Sequence, residues 1–442
     1  MKQPQDDSPR FGRRRLLVAA GAGLGALSVG RALPATAGVA AVPDYRSWEN
    51  VRAAFPLTRR NAYFASFLLS PHPKPVADAI ESLRRQVDAD PEGFLLERQA
   101  EREDAVLRGA AAYTGGKPEE LALTDSTTMG LGLFYGGLKL EPGDEILTST
   151  HDFYSTHEAL RLRALRSKAR LRKITLYQRP ESASRDEIVS AVRRALRPRT
   201  RVLALTWVHS STGVKLPIEQ LAKAVAEANR GRPPQSRVVF CVDGVHGFGN
   251  QDVDVARLGC DVFASGCHKW LFGPRGTGLL WAKPAAWTRV TATIPTFDTR
   301  SIVDWIQPSA RLAVADGARM TPGGFHSFEH RWALAAAFDF HAAIGRERVA
   351  LRTRGLAAML KEGLAGLPNV TLRTPRSPDL SAGIVCFDVN GMSAPHAVEA
   401  LRARRVVATV TPYAVQHVRL GPSIANSPED VDAALRAIRT LR

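Results

Sequence analysis

The sequence predicts an α/β fold with a mostly parallel, doubly wound sheet in a large domain, followed by a smaller α+β domain. Short apolar runs rich in β-branched residues alternate with stretches of helical period through the middle of the chain, as in strands joined by crossover helices. After about residue 330 this alternation gives way to long helices and short strands. The 442 residues, 45% hydrophobic and 23% charged, are enough for two or three domains with a large core.

Six short apolar runs are predicted to be buried strands of the large sheet. They are Glu145–Thr150, Lys173–Leu176, Val202–Val208, Val238–Asp243, Val262–Ser265 and Gly278–Trp281. Helical period predicts helices over Asp186–Leu196 and Pro217–Asn229. The basic run 161–173 is predicted to be a helix with one solvated face that leads into a strand.

The last third of the chain is predicted to form the small domain. Its expected elements are helices over Arg331–Ile344 and Val349–Gly366, and strands over Gly383–Val389, Val406–Val410 and Val418–Leu420. A final helix should begin at Ser427 as N-cap, with Pro428 at its first position. We therefore expect an N-terminal segment over 38–60 that packs on the small domain, a large domain over 61–320 and a small domain over 321–442.

Residues 1–37 are predicted to be an export signal. Three arginines (13–15) precede an apolar, glycine-rich stretch over 16–30, and a small-x-small site follows at 35–37. The apolar stretch is shorter than the roughly 20 residues that span a bilayer. The consecutive arginines resemble a twin-arginine signal. This predicts a periplasmic or secreted protein that the twin-arginine translocase exports in its folded state. Proteins exported by this route usually carry a cofactor, so the signal also hints at one. The alternatives are an ordinary secretory signal and an uncleaved anchor.

The charge balance is strongly basic, with 60 Lys and Arg against 43 Asp and Glu. The excess is mostly scattered arginine, so we expect a basic surface and no nucleic-acid partner. The four cysteines form no CxxC pair, which makes a zinc ribbon or a disulfide scaffold a poor fit.

The segment Ser265–Gly278, SGCHKWLFGPRGTG, places Lys269 just after a predicted strand and before a Gly/Pro-rich turn. A buried, unpaired lysine there costs several kcal/mol. Such a lysine is useful where desolvation frees the amine as a nucleophile, as in Schiff-base enzymes. A surface lysine at the strand exit is the alternative.

The segment Cys241–Gly249, CVDGVHGFG, ends a predicted strand in Asp243, with His246 three residues later. The carboxyl ends of strands in α/β sheets face the ligand crevice. A carboxylate there can hold a protonated pyridine nitrogen. A turn-capping Asp243, or a metal pair with His246, are the alternatives.

Two further motifs complete the set. Thr124–Gly130, TDSTTMG, opens an apolar stretch, and hydroxyl residues at a helix start suit either a phosphate or plain N-capping. Val418–Asn426, VRLGPSIAN, carries Arg419, whose fork could bind a carboxylate.

The order of these four motifs resembles the class V aminotransferase family of pyridoxal-phosphate enzymes (fold type I), over roughly residues 60–440. The segments VDGVHGFG and CHKWLFGPRGTG carry the resemblance, which is strongest to the isopenicillin N epimerase-like branch and, with the signal and TPGGFHSFEHRWAL, to an exported branch that tailors the pyoverdine siderophore. The resemblance implies that pyridoxal 5′-phosphate is the cofactor. It also implies a homodimer, in which Thr321–Gly324 completes the neighbour's phosphate site.

The resemblance also implies roles for eight residues. Lys269 forms the internal aldimine and moves the Cα proton of an amino acid or aminoacyl substrate through a carbanion. Asp243 binds the ring nitrogen and His246 the ring hydroxyl. The remaining roles are phosphate binding by Thr127, Thr128 and His268, stacking on the ring by His151 (or Phe153), and binding of the substrate carboxylate by Arg419.

This chain departs from the family pattern at three places. The loop where desulfurases carry a nucleophilic cysteine is here Val410–Val418, VTPYAVQHV, which disfavours desulfuration. Ser210 stands where many relatives have an asparagine that contacts the cofactor ring. Ser265 lies one residue further from Lys269 than the serine that usually binds the cofactor phosphate.

The type of reaction stays open between transamination, epimerisation, and oxidative deamination or decarboxylation. Epimerisation needs a second acid, and His157, His209, His326 and His417 are candidates without an assigned role. No metal is expected, and a non-catalytic envelope or anion-binding protein is the competing hypothesis.

Overall fold

The computed structural model describes residues 44–307 and 314–441. The predicted signal over 1–37 lies outside them. Within them, a seven-stranded sheet occupies the middle of the chain. Its strands are β2 (Leu121–Thr124), β3 (Glu145–Ser149), β4 (Arg170–Ile174), β5 (Thr200–Thr206), β6 (Val239–Asp243), β7 (Val262–Gly266) and β8 (Gly278–Ala282). Their order is β2-β8-β7-β6-β5-β3-β4, and only β8 runs antiparallel to its neighbours. The predicted α/β fold is confirmed.

Helices flank this sheet on both faces. The helices of the described residues up to 344 are α1 (Trp48–Ala53), α2 (Lys74–Ala89), α3 (Pro91–Thr114), α4 (Thr127–Gly137), α5 (Tyr154–Ser167), α6 (Arg185–Ala195), α7 (Ile218–Ala228), α8 (Pro284–Trp287), α9 (Thr299–Ile306), α10 (Gly317–Met320) and α11 (Phe328–Ile344). Two large apolar clusters, one on each face, bury the sheet. The sheet is therefore doubly wound, because each face needs a helical layer to exclude water.

The C-terminal part is built around a four-stranded antiparallel sheet. Its elements are α12 (Arg346–Ala365), β9 (Val370–Leu372), β10 (Val385–Val389), α13 (Ala394–Ala403), β11 (Val406–Val407), β12 (Thr409–Val410), β13 (Val418–Leu420) and α14 (Pro428–Arg439). The sheet order is β12-β13-β10-β9, while β11 pairs with β1 (Ala62–Tyr63) near the N-terminus. A separate apolar cluster lies under this sheet.

The N-terminal residues pack against helices of the C-terminal third. Tyr45, Val51 and Phe55 share an apolar cluster with Phe340 and Val349. The domain boundaries predicted at residues 61 and 321 stay a prediction.

Most predicted elements coincide with the structure, and the differences have physical causes. β4 begins three residues before the predicted Lys173, since its polar residues pair in register with β3 and Arg172 makes an ion pair with Glu145. The predicted strand 406–410 divides into β11 and β12, which join different sheets. Helices α2 and α3 had not been predicted. No helix within 44–307 and 314–441 is long and apolar enough to cross a membrane.

Candidate active site

A cavity of about 150 Å³ lies where strands β5, β6 and β7 end, facing the C-terminal sheet. This is the edge at which parallel α/β sheets bind ligands. Seven of the eight predicted site residues line it: Thr127, Thr128, Asp243, His246, His268, Lys269 and Arg419. The fold thus brings together side chains that are almost 300 residues apart in sequence.

Lys269 lies in the tight turn that follows β7. The turn is closed by the hydrogen bond from Phe272 N–H to the Lys269 carbonyl, 3.1 Å, and Phe272 adopts a left-handed backbone with φ of 57°. Removal from water lowers the pKa of the Lys269 amine to about 8; the Asp243 carboxylate opposes this shift and the Arg419 cation adds to it. The amine is therefore partly neutral near neutral pH, as a nucleophile or base requires.

Asp243 is the last residue of β6 and is 2% exposed. Its Oδ1 accepts a hydrogen bond from Val245 N–H, 3.1 Å. Burial raises the pKa of this carboxyl to about 6, with the Val245 N–H and the Lys269 cation acting in the opposite sense. A buried carboxylate with a free oxygen beside a cavity is suited to a cationic group such as a protonated ring nitrogen.

The start of α4 forms a cradle for an anion. Ser126 caps the helix by accepting a hydrogen bond from Met129 N–H, and Thr127 Oγ1 accepts one from Gly266 N–H at 2.7 Å. A Cβ at Gly266 would lie 2.9 Å from the His268 ring, so glycine permits this close approach. A helix N-terminus with hydroxyls around it attracts phosphate.

Two buried polar atoms on the cavity wall have no hydrogen-bond partner in the described residues. They are His246 Nδ1 and Thr206 Oγ1. Burial, together with the positive charges of Lys269 and Arg419, holds the pKa of His246 well below its usual range, so its ring is neutral. Orphaned buried polar atoms are rare in folded proteins, which fits a bound polar group in this cavity.

Arg419 in β13 is 4% exposed, and no carboxylate of the described residues pairs with it. Its guanidinium donates from Nε to Thr409 Oγ1 (3.0 Å) and from Nη1 to the Ser210 carbonyl (3.2 Å). Its Cζ lies 4.5 Å from the centre of the Phe67 ring. The fork is thus fixed in place and can bind an anion, such as a substrate carboxylate.

His151 is the one predicted residue that the structure does not bring to the cavity. Its ring stacks on Tyr177 with centroids 3.9 Å apart, and its Nε2 accepts a hydrogen bond from Leu176 N–H. Phe153 lines the cavity instead. The structure therefore favours Phe153, the alternative from the sequence, over His151 for stacking on a cofactor ring, and the stacking itself stays a prediction.

Other functional residues were missed or are used differently. Phe67 and Pro412 line the cavity, and nothing in their local sequence distinguishes them from core or loop residues. Ser265 Oγ donates to the Gly266 carbonyl and does not line the cavity. The Thr321 hydroxyl is engaged within its own chain, with Leu123 N–H and the Gly317 carbonyl. In the described residues, no group of three or more metal-ligating side chains lies together.

Fold and cavity together define an enzyme of the pyridoxal-phosphate type, since the cavity supplies an amine, a buried carboxylate, a neutral histidine and an anion cradle. The family model for aminotransferase class-V matches residues 70–433. The chain belongs to this family, and the prediction of pyridoxal phosphate as its cofactor is confirmed with it.

Several relatives are similar over most of the chain. Isopenicillin N epimerase of Streptomyces clavuligerus is 30% identical, over 77% of this chain and 84% of its own length. Cysteine desulfurase of Cronobacter sakazakii is 27% identical over 78% and 83%. Among solved structures, a lysine-to-alanine variant of C-DES with glycine covalently linked to the PLP cofactor has a TM-score of 0.77 at 20% identity, covering 88% of this chain and 99% of that one. The cysteine desulfurase of Escherichia coli has a TM-score of 0.74 at 20% identity, covering 89% and 97%.

Proposed function

We propose that this protein moves the Cα proton of an amino acid or aminoacyl group, and that epimerisation at Cα is its reaction. The observation that carries the proposal is that two groups line the same cavity: the desolvated Lys269 amine, and the buried Arg419 cation, which has no carboxylate partner in the described residues. The similarity to isopenicillin N epimerases supports the choice of epimerisation.

The cavity residues would hold the cofactor by complementary chemistry. Thr127, Thr128 and His268 would bind its phosphate at the start of α4. Asp243 would bind the ring nitrogen and His246 the ring hydroxyl. When bound, pyridoxal phosphate withdraws electrons from the attached amino acid and makes its Cα–H bond acidic.

The protein then has to hold the substrate and take the proton. Arg419 is fixed by three contacts before the substrate arrives, so little ordering entropy is lost on binding a carboxylate. Lys269 takes the Cα proton on its neutral amine. The lowered pKa of that amine matches it to proton transfer near neutral pH.

Desulfuration is disfavoured because no cysteine lines the cavity. All four cysteines are buried. Cys386 pairs with Arg419 across β10 and β13, but burial raises the pKa of its thiol to about 12. A neutral, enclosed thiol is a poor nucleophile.

We also propose that the enzyme is exported through the twin-arginine route and tailors a secreted or envelope metabolite, such as a siderophore, a peptide or a cell-wall precursor. The proposal rests on the signal sequence over residues 1–37. Fractionation of cells that make the full chain should place it outside the cytoplasm. Replacement of Arg13, Arg14 and Arg15 by lysine should retain it inside, and unchanged export would contradict the proposal.

A homodimer is proposed as the assembly. Large apolar side chains are exposed beside the Thr321–Gly324 segment, including Phe297 (62% exposed) and Phe325 (82%). Light scattering of the purified protein should give twice the chain mass. A bulky residue at Gly323 should weaken cofactor retention, although its Cβ would meet Phe297 of the same chain at 2.5 Å. Unchanged retention would contradict a role of this segment at the neighbour's phosphate site.

Borohydride trapping tests which lysine holds the cofactor. The reduced adduct should lie on Lys269 alone. Lys215 and Lys361 are matched internal controls, because burial lowers the pKa of both amines to about 8 as well. They donate to backbone carbonyls away from the cavity and should carry no adduct. An adduct on either of them, or no adduct, would refute the assignment.

A second experiment identifies the reaction. The loaded enzyme is incubated in D2O with single amino acids and short peptides, without a keto-acid acceptor, and products are resolved by mass and chirality. Deuterium at Cα with inversion supports epimerisation. A keto acid would replace epimerisation by oxidative deamination and an amine would replace it by decarboxylation. No exchange with any compound would contradict the proposal.

A further inference from the structure

A side-chain hydrogen bond beside the cavity links the C-terminal part of the chain to the end of β5. The segment between β12 and β13 carries Tyr413, whose hydroxyl lies 2.8 Å from Ser210 Oγ. Ser210 follows β5 of the large sheet and lines the cavity. The Tyr413 ring also packs edge-on against Phe153, with centroids 5.9 Å apart. The Tyr413 phenol therefore forms a hydrogen bond with the hydroxyl of a residue that lines the cavity.

Ser210 is tied to the group that binds the substrate. Its carbonyl accepts the Nη1–H of Arg419 at 3.2 Å, and the residue itself lines the cavity. A carboxylate on Arg419 is one bond from Cα. A substrate bound there places Cα near the Ser210 hydroxyl.

Lys269 and Ser210 line different parts of the cavity. Strand order β7-β6-β5 puts Lys269, after β7, and Ser210, after β5, on the two sides of Asp243. Inversion at Cα requires that the proton leave on one side and return on the other. Lys269 and Ser210 are two separate groups that can each carry a proton.

The histidines considered as second acids do not line this cavity. His157 Nε2 bonds the Ser149 carbonyl, and His417 Nδ1 bonds Asp388 at 2.6 Å. Two more, His209 and His326, are held by Tyr177 and by the Gly324 carbonyl. Each of the four thus makes a hydrogen bond within the fold, although Nε2 of His209 and of His326 is buried without a partner in the described residues.

We propose that the Ser210 hydroxyl, backed by the Tyr413 phenol, donates the proton that completes inversion at Cα opposite Lys269. The inference rests on the proposed function. The Lys269 amine takes the Cα proton and becomes an ammonium. Ser210 gives its proton to Cα and receives the phenolic proton of Tyr413, which becomes a phenolate. Exchange with water then returns both groups to their first state. The reverse reaction starts from the Lys269 ammonium and the Tyr413 phenolate, which the same exchange supplies: the relay then takes the Cα proton and Lys269 returns one.

The surroundings suit a donor. Burial, together with the Asp152 and Asp243 carboxylates, raises the pKa of the Tyr413 phenol, so its proton is present at neutral pH; the hydrogen bond with Ser210 and the Arg419 cation oppose this rise in part. Positive charge near a developing anion stabilises it.

Deuterium tracing separates inversion from exchange. Wild type, Ser210→Ala and Tyr413→Phe are compared in D2O on an amino acid that the wild type epimerises. We expect inversion to fall by roughly 100-fold or more in each variant, the range for loss of a general acid. Exchange with retention, which needs only Lys269, should change by less than about threefold. The double variant should be no slower than either single one, because both act in one relay.

Two controls separate proton transfer from packing. Tyr413→Phe keeps the ring against Phe153, and Tyr45→Phe, at a tyrosine that packs on Phe340 away from the cavity, should change nothing. In the cofactor-free protein, Ser210→Ala should shift the ¹³Cζ resonance of Tyr413. The dissociation constant for pyridoxal phosphate should stay within about threefold of wild type in Tyr413→Phe, whose side chain does not line the cavity.

The outcomes are distinguishable. If Ser210→Ala or Tyr413→Phe loses inversion and exchange to the same extent, or if Tyr413→Phe inverts Cα at the wild-type rate, the proton transfer from Ser210 and Tyr413 is overturned. The proposed proton transfer between Cα and Lys269 is not affected by either result. Exchange without inversion in the wild type would also overturn the relay. A wild type that exchanges no Cα proton, with no adduct on Lys269, would remove the proposed function itself.

Discussion

The protonation of Lys269 offers the sharpest test of the cavity's electrostatics. Its amine is expected to titrate near pH 8, against an ordinary value of 10.5, because burial disfavours the ammonium more than Asp243 favours it. At pH 7.5 about a quarter of the amine would be neutral, roughly 250-fold more than for an ordinary lysine. Because only the neutral amine attacks an aldehyde, the rate of pyridoxal-phosphate binding should fall about tenfold per pH unit well below pH 8.

Asp243→Asn tests the cause of this pKa. It removes the carboxylate that favours the ammonium, so the pKa of Lys269 should fall below its wild-type value. NMR of the reductively ¹³C-methylated, cofactor-free protein would follow both titrations. Lys361 serves as the control in the same spectrum, because its pKa is lowered by burial without Asp243 and should not move. A Lys269 pKa near 10.5, or one that rises in Asp243→Asn, would refute the reasoning.

Two further predictions concern substrate positioning and packing. Phe67→Leu removes the ring that contacts the Arg419 guanidinium. Since a cation–π contact contributes about 0.5 to 2 kcal/mol, KM should rise about 2- to 30-fold with kcat little changed. Equal KM values in the variant and the wild type would contradict this. Gly247→Ala should destabilise the protein by about 1 to 3 kcal/mol, because the new Cβ would lie 2.2 Å from the Trp207 ring. In helix α4, the Cβ added by Gly132→Ala would have no atom within 4 Å, so this variant should instead stabilise the protein by about 0.5 to 1 kcal/mol. Thermal unfolding of both variants measures the contrast. A Gly247→Ala protein as stable as wild type would refute the prediction.

The C-terminal helix and the strands of the large sheet could be predicted closely because their signals are local. Ser427 caps α14 by accepting a hydrogen bond from Asp430 N–H, as its sequence indicated. Buried parallel strands are continuous apolar runs, and β6 and β7 were found within one residue of their bounds. Helix α3 was missed because its surface is largely charged and its apolar face is weak, so that only its packing against α11 reveals it.

The choice between His151 and Phe153 shows where local information ends. The two residues flank Asp152, and either could face a ring from the end of β3. Asp152 accepts hydrogen bonds from Thr148 Oγ1 and Ser149 N–H, and its other oxygen accepts one from Thr206 N–H on the adjacent strand. This buried carboxylate fixes the turn, so that His151 packs on Tyr177 and Phe153 faces the cavity.

The sequence by itself determined the family, the cofactor and seven of the residues that meet in the cavity, because each motif carries its chemistry in residue type and order. Only the tertiary structure decided which aromatic ring faces the cofactor site, that Phe67 lies under Arg419, and that Tyr413 meets Ser210. Ser210 and Tyr413 are separated by more than 200 residues. Their contact depends on how β5 and the β12–β13 segment approach one another, and that is a property of packing between sheets which no local pattern encodes.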